Sequence, residues 1–152
     1  MNSILLSVRP TFARALMDGT KTAEVRRRFP AQPAGSRLFV YSSSPDRAVI
    51  GTLRLDSIDR PNSQDVWRLY AHQIEIDEEP LDLYLEDTAS AAILHVSEPA
   101  LWNRPVPLSQ LRSRIFLEPP QSFRYLTIAQ SNDLERLGAM PTRPRQESAL
   151  IG

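Results

Sequence analysis

Cysteine is absent from the 152 residues, which removes disulfides, thiolate nucleophiles and thiolate-bound zinc together. Histidine is nearly absent, and the two present, His72 and His95, are too few for a histidine-built metal site. No apolar run approaches the roughly 20 residues that span a bilayer. The start, Met1 to Val8, lacks a basic residue ahead of its apolar stretch and meets Arg9 too early for a signal peptide. These absences lead to the expectation of one cytoplasmic domain with no metal, no cofactor and no membrane association. Lysine is scarcer still: Lys21 is the only one, against seventeen arginines. A lysine can lose its proton when desolvated, whereas an arginine stays charged, so that single position draws attention first.

The formal net charge of zero conceals an asymmetry. Residues 1–60 carry ten basic and five acidic side chains, and residues 61–98 carry only Arg68 against nine acidic ones. The basic first third would attract an anionic ligand. The other reading is that the acidic segment neutralises it across the fold.

The alternation of apolar and polar residues predicts strands over Ser3–Val8, Thr22–Arg28, Arg37–Ser42, Ala48–Ser57 and Ala91–Val96. Pro10 suits a helix start and Gly19 a helix end. Asn62 or Ser63 can cap a helix running to about Ile74, Pro80–Leu85 is a shorter helical candidate, and Pro105–Leu111 reads as a turn into a brief helix. Asn132 to Glu135 has capping-box spacing before Gly138, which predicts a short last helix. Residues 139–152 show no periodicity and are expected to form a disordered tail after a domain spanning 1–138. There is no internal repeat. Strands separated by short helices, without βαβ regularity, point to an α+β fold built as a small mixed barrel with short peripheral helices.

The densest chemistry lies in Gly19-Thr20-Lys21-Thr22-Ala23-Glu24-Val25-Arg26-Arg27-Arg28. A helix end, a turn and a strand bring an ammonium, a hydroxyl, a carboxylate and guanidinium groups together. Glu24 and Arg26 should share one strand face, roughly 7 Å apart at Cα. Arg26 would hold Glu24 ionised, as an acceptor for a base edge or as a general base. Arg26, Arg27 and Arg28 could contact phosphate. The competing reading is a solvated charged face with a surface salt bridge.

Other candidates are single features. Tyr41, Ser42 and Ser43 sit at a strand end, where an aromatic could stack on a base and hydroxyls bond its edge; core packing is the alternative for Tyr41. Gln121, Ser122 and Arg124 follow Pro119-Pro120, which could fix polar groups at a cleft rim or simply form a turn that packs Phe123. His95 reads as a satisfied core histidine. Glu75, Asp77, Glu78 and Glu79 suggest a cation site or, more simply, a solvated helix start.

The run Leu5-Leu6-Ser7-Val8-Arg9-Pro10, Ala13, Ala15-Leu16 and the Gly19–Arg28 segment together resemble the signature of the ASCH family. Val40 to Pro45 and Ile50 to Leu53 resemble its following strand pair, and Pro119 to Leu126 resembles the closing motif of a bacterial subgroup. The resemblance spans residues 3–128 and implies a PUA-like β-barrel with a cleft lined by the Lys21-Thr22 turn. Relatives of that kind bind RNA. One branch hydrolyses the acetyl amide of N4-acetylcytidine and another is a ribonuclease. In the amidohydrolase branch the turn reads Lys-Thr-x-Thr; here Lys21 and Thr22 match, while Glu24 stands at the second Thr. The branch's catalytic Glu falls in the acidic region, with Glu75 the nearest candidate.

Three functions follow as expectations. The first is a binding module for RNA or a modified nucleoside, with a regulatory role. The second is a small hydrolase of RNA or of a modified nucleoside, with Lys21, Thr22 and Glu24 as its catalytic groups. The third is a protein-interaction domain whose acidic segment, 75–87, docks a basic partner. The oligomeric state is not legible.

Overall fold

The computed structural model describes residues 1–138; the expected tail, 139–152, lies outside them. Strand β1 (Ser3–Val8) leads into helix α1 (Pro10–Asp18). Pro10 sits at its first positions, where a missing N–H costs nothing, and Gly19 ends it at φ 85°, a conformation glycine adopts without steric cost. Strands β2 (Ala23–Arg26), β3 (Arg37–Ser42) and β4 (Ala48–Asp59) follow. A 3-10 turn at Ser63–Asp65 opens α2 (Val66–Ile74), and α3 (Glu78–Tyr84) comes next. The described residues continue with β5 (Ala92–Pro107), α4 (Leu108–Gln110) with a π turn over Leu111–Ile115, β6 (Phe123–Tyr125) and α5 (Ile128–Gly138).

All six strands join one sheet in the order β2-β5-β4-β3-β1-β6, curled into a half-barrel. Only β1 and β3 run parallel. The concave side is filled by Ile4, Leu6, Leu38, Val40, Leu53, Leu55 and Leu94, with Leu16 and Met17 of α1 against them. The convex side is covered twice. Leu5, Phe39, Val49 and Val106 meet Leu111, Ile115, Leu117 and Leu134 from the segment after β5 and from α5. Ala23, Val25 and Ile93 meet Val66, Ile74, Leu81 and Leu85 of the α2–α3 region. The expected mixed α+β barrel with short helices is therefore present as a half-barrel.

Three expectations are corrected. The strand expected over Thr22–Arg28 stops at Arg26, because β5 offers partners only to Ala23–Arg26. Phe29 consequently leaves the Ala23–Val25 face and packs in the concave core against Phe123. The strand expected to end at Val96 runs on to Pro107. Beyond Val96, whose N–H still donates to the Thr22 carbonyl, only β4 pairs with it, so Pro99 and Pro105 sit on an open edge, with Glu98 at φ 52° where the register shifts. The last helix begins at Ile128, so Asn132 lies inside it rather than capping it. The real cap is a Thr127–Gln130 box: the Gln130 N–H donates to Thr127 Oγ1 (3.0 Å) and the Thr127 N–H to Gln130 Oε1 (2.9 Å).

Where β4 crosses β5, Gly51 leaves no room for a side chain. A Cβ there would stand 2.3 Å from the carbonyl oxygen of Ala100 and 2.8 Å from Met17 Sδ. Backbone cannot yield as a flexible side chain does. Gly51→Ala should destabilise the fold by about 1–3 kcal/mol, read as a lower urea midpoint at unchanged slope. An unchanged midpoint would show that β4 slides at its bulge to make the space.

Candidate functional site

The sole lysine follows the α1 end, and the geometry there leaves it nowhere to go but inward. The Lys21 N–H donates to the Ala15 carbonyl (3.0 Å), and the Thr22 N–H to the Gln73 carbonyl at the end of α2 (2.9 Å). These bonds press the turn between α1 and α2, and Lys21 becomes 1 % exposed. Its ammonium donates to the Ile74 carbonyl, lies 3.4 Å from Glu24 Oε1 and sits 4.8 Å from the centre of the Phe12 ring. Burial pushes its pKa below 10.5, against the opposing pull of the Glu24 carboxylate.

Strand alternation does what the sequence implied for Glu24 and Arg26. Both turn away from Ala23 and Val25, and both are buried. The Arg26 guanidinium grips Glu24 Oε2 through Nε (3.0 Å) and NH2 (2.8 Å). Its NH2 also donates to the Ser7 carbonyl (2.7 Å), and its NH1 points at the Ser122 hydroxyl (3.2 Å) and carbonyl (3.4 Å). The reading of a solvated face with a surface salt bridge is thus replaced by a buried Lys21–Glu24–Arg26 cluster. With Lys21 protonated it holds two positive charges and one negative.

Ser7 is the residue the sequence did not disclose. It lies in β1 between apolar residues. In the fold its N–H donates to the Ser122 carbonyl (2.9 Å) and its hydroxyl to the Pro120 carbonyl (2.6 Å), which pins the Pro119–Ser122 loop beside Arg26. Ser122, Gln121 and Thr22 are exposed around this cluster. The longer Arg26–Ser122 contacts are the ones an incoming anion would replace, since the shorter ones are spent on buried partners.

The remaining expected residues divide. Tyr41 is in the core beside Phe39 and Val106, and burial raises its phenol pKa, so its ring has no free face for a base. Ser42 is buried and donates to Asp46 Oδ2 (2.8 Å), which Arg14 also binds, while Ser43 is half-buried. Arg27 lies over the Tyr84 ring at 4.8 Å. Arg28 is exposed without an ion pair among the described residues. Arg124 donates to the Glu118 carbonyl (3.2 Å). Half-buried His95 pairs through Nε2 with Asp59 Oδ2 (2.9 Å), which also accepts from the Tyr70 hydroxyl; both bonds lower the Asp59 pKa. Glu78 and Glu79 are exposed in the first turn of α3. No group of three or more His, Asp or Glu side chains among the described residues is arranged to hold a metal ion. No ion pair among those residues links 75–87 to the basic first third.

No family model matches the chain. It is 32% identical over 136 residues to an ASCH domain-containing ribonuclease of Zymomonas mobilis, covering 88% of this chain and 90% of that one. The crystal structure of ASCH from the same organism superposes with a TM-score of 0.84 at 30% identity, covering 90% of this chain and 95% of that one. The human THYN1 protein, in complex with 5-methylcytosine-containing DNA, shares the fold at a TM-score of 0.59 and 11% identity, over 93% and 99% of the two chains. With its half-barrel, its Lys21–Glu24–Arg26 turn and that relationship over nearly its whole length, the chain belongs to the ASCH domain family.

Proposed function

We propose that this protein binds single-stranded RNA at the mouth formed by Arg26, Ser122 and Glu24, in the cytoplasm, as a member of the bacterial subgroup with the Pro119–Leu126 closing motif. The observation that carries the reading is the excess positive charge of the buried Lys21–Glu24–Arg26 cluster, whose longest hydrogen bonds reach an exposed serine. A phosphate can take the place of Ser122 on Arg26 NH1, with the displaced Ser122 hydroxyl donating to it, without disturbing the Glu24 and Ser7 bonds. Glu24 Oε1, engaged only by Lys21 at 3.4 Å, keeps capacity to accept from a base edge. Exposed Arg28 offers a further phosphate contact.

Hydrolysis of the bound RNA is the second reading, favoured by the ribonuclease relative and by the Lys21 amine being drawn toward its neutral form. Cleavage needs a base for the 2′-hydroxyl proton, a cation for the charge that grows on the non-bridging phosphoryl oxygens as the 2′-oxygen bonds to phosphorus, and a proton from water for the departing 5′-oxygen. Glu24 fits the first role and Arg26 the second. Lys21, fully enclosed, touches no substrate and positions the Glu24 carboxylate from behind. N4-acetylcytidine should release little or no acetate, because Glu24 stands where the amidohydrolase branch carries its second Thr, the proposed nucleophile.

Ser122→Ala and Arg26→Lys should each weaken binding of a short single-stranded RNA, measured by fluorescence anisotropy. Arg28→Ala should flatten the dependence of log affinity on log salt by about 0.7 for one lost phosphate contact. Affinity and salt slope unchanged in all three variants would remove RNA binding at this mouth. Loss of cleavage in Glu24→Gln with binding retained would establish the hydrolase; binding without cleavage by the unmodified chain would leave the binder.

The enclosed lysine also sets a pH dependence. Its folded pKa lies below the ordinary 10.5, so between the two values the unfolded chain holds a proton that the folded chain has lost. Stability therefore rises with pH across that window. The stability of the unmodified chain relative to Lys21→Met should increase in alkaline solution up to about pH 10.5. A pH-independent difference in urea denaturation would mean that the buried amine keeps its ordinary proton affinity.

A further inference from the structure

We propose that Phe116 is a stacking platform for a base of the bound single strand, with Arg114 and Arg124 beside it taking the strand's phosphates; this rests on the RNA-binding reading above and extends it to a second subsite. Phe116 ends the π turn, its N–H donating to the Leu111 carbonyl, at φ 58°. The helix end accounts for that backbone conformation and not for the side chain. Glycine or asparagine adopts it with little strain, whereas a bulky aromatic is the wrong residue for it. Nor does the ring help the core: Phe116 is 85 % exposed, while its neighbours Ile115 and Leu117 are buried. A strained, exposed aromatic that packs in no core cluster among the described residues is explained by something that lands on it.

What surrounds it selects the occupant. Arg114 stands two residues before Phe116, and Glu118, two residues after it, holds Arg112 and Arg124. The Glu118 carboxylate takes Arg112 through Nε (2.9 Å) and NH2 (3.1 Å), and its carbonyl takes Arg124. Arg114 is exposed with no ion pair among the described residues. An apolar ring among cations suits a base between phosphates, because every base has a π face and every linkage a negative charge. Ser122 stands six positions after Phe116, so their Cα atoms lie within about 22 Å of each other. Pro119 and Pro120 stiffen that span, and Ser7 holds it to β1. One strand can thus touch both places.

The test uses the full chain and a short 2′-O-methylated RNA, which cannot be cleaved through its own 2′-hydroxyls. Phe116→Asn suits the backbone better than Phe does, so its melting temperature should rise, by about 2–4 °C. Its RNA affinity should fall by about five- to a hundredfold, and Phe116→Trp should retain affinity. Uridine 3′-monophosphate, which reaches only the Ser122 mouth, should bind the unmodified chain and Phe116→Asn alike. Undiminished RNA affinity in Phe116→Asn, alongside loss in Ser122→Ala, would overturn this inference and leave RNA binding standing. An unmodified chain that binds no RNA would overturn both. A drop in sedimenting mass in Phe116→Asn would also overturn it, assigning the ring to contact between copies of this chain.

Discussion

The Arg26 guanidinium holds the two ends of the sheet together. β2 and β6 are the edge strands, and a curled sheet that stops short of closing leaves their backbone groups unpaired across a gap. Arg26, at the end of β2, spans that gap with its two terminal nitrogens, NH2 reaching Ser7 on β1 and NH1 reaching Ser122 at the approach to β6. A planar group with five fixed donors can serve a carboxylate and two carbonyls at once, which a lysine cannot. Glu24 keeps that group in plane from within the same strand. The closure of the half-barrel and the mouth of the site are therefore one set of hydrogen bonds.

A charge placed at such a seam is expensive unless it is paired, and here the pairing is uneven. Glu24 balances one of its two cations. The other, Lys21, is relieved partly by the Ile74 carbonyl at the end of α2 and partly by a proton affinity lowered through desolvation. That imbalance is what an anionic ligand would settle. It also explains why the single lysine is tolerated in an enclosed position where a permanently charged arginine would be costlier.

The segment from Pro107 to Leu126 gives the half-barrel its second feature. It covers the convex core with Leu111, Ile115 and Leu117, then turns back over Ser7 to deliver Ser122. One stretch of chain thus packs the fold, frames the mouth and carries the exposed arginines and Phe116 away from it. A fold of this size gains by such economy, because a short chain has few segments to spare for purely functional surfaces.

Much of the local structure was legible before any coordinates. Pro10 and Gly19 marked α1, the period of two put Glu24 and Arg26 on one face, and the oddity of Lys21 drew attention to a turn that the fold buries. These are properties of neighbours along the chain, which steric rules and side-chain periodicity govern directly. Other features had no local signal. Ser7 looked like an interruption in an apolar strand, Tyr41 could equally have faced solvent or core, and β5 looked finished at Val96 because nothing in its prolines reveals an open edge. Burial of the charged trio depended on α1 and α2 closing over the turn, and the partners of Arg26 came from residues some 20 and 100 positions away. The sequence by itself determined which groups share a strand face; only the tertiary structure decided which of them lost water, because desolvation depends on what the rest of the chain brings against them.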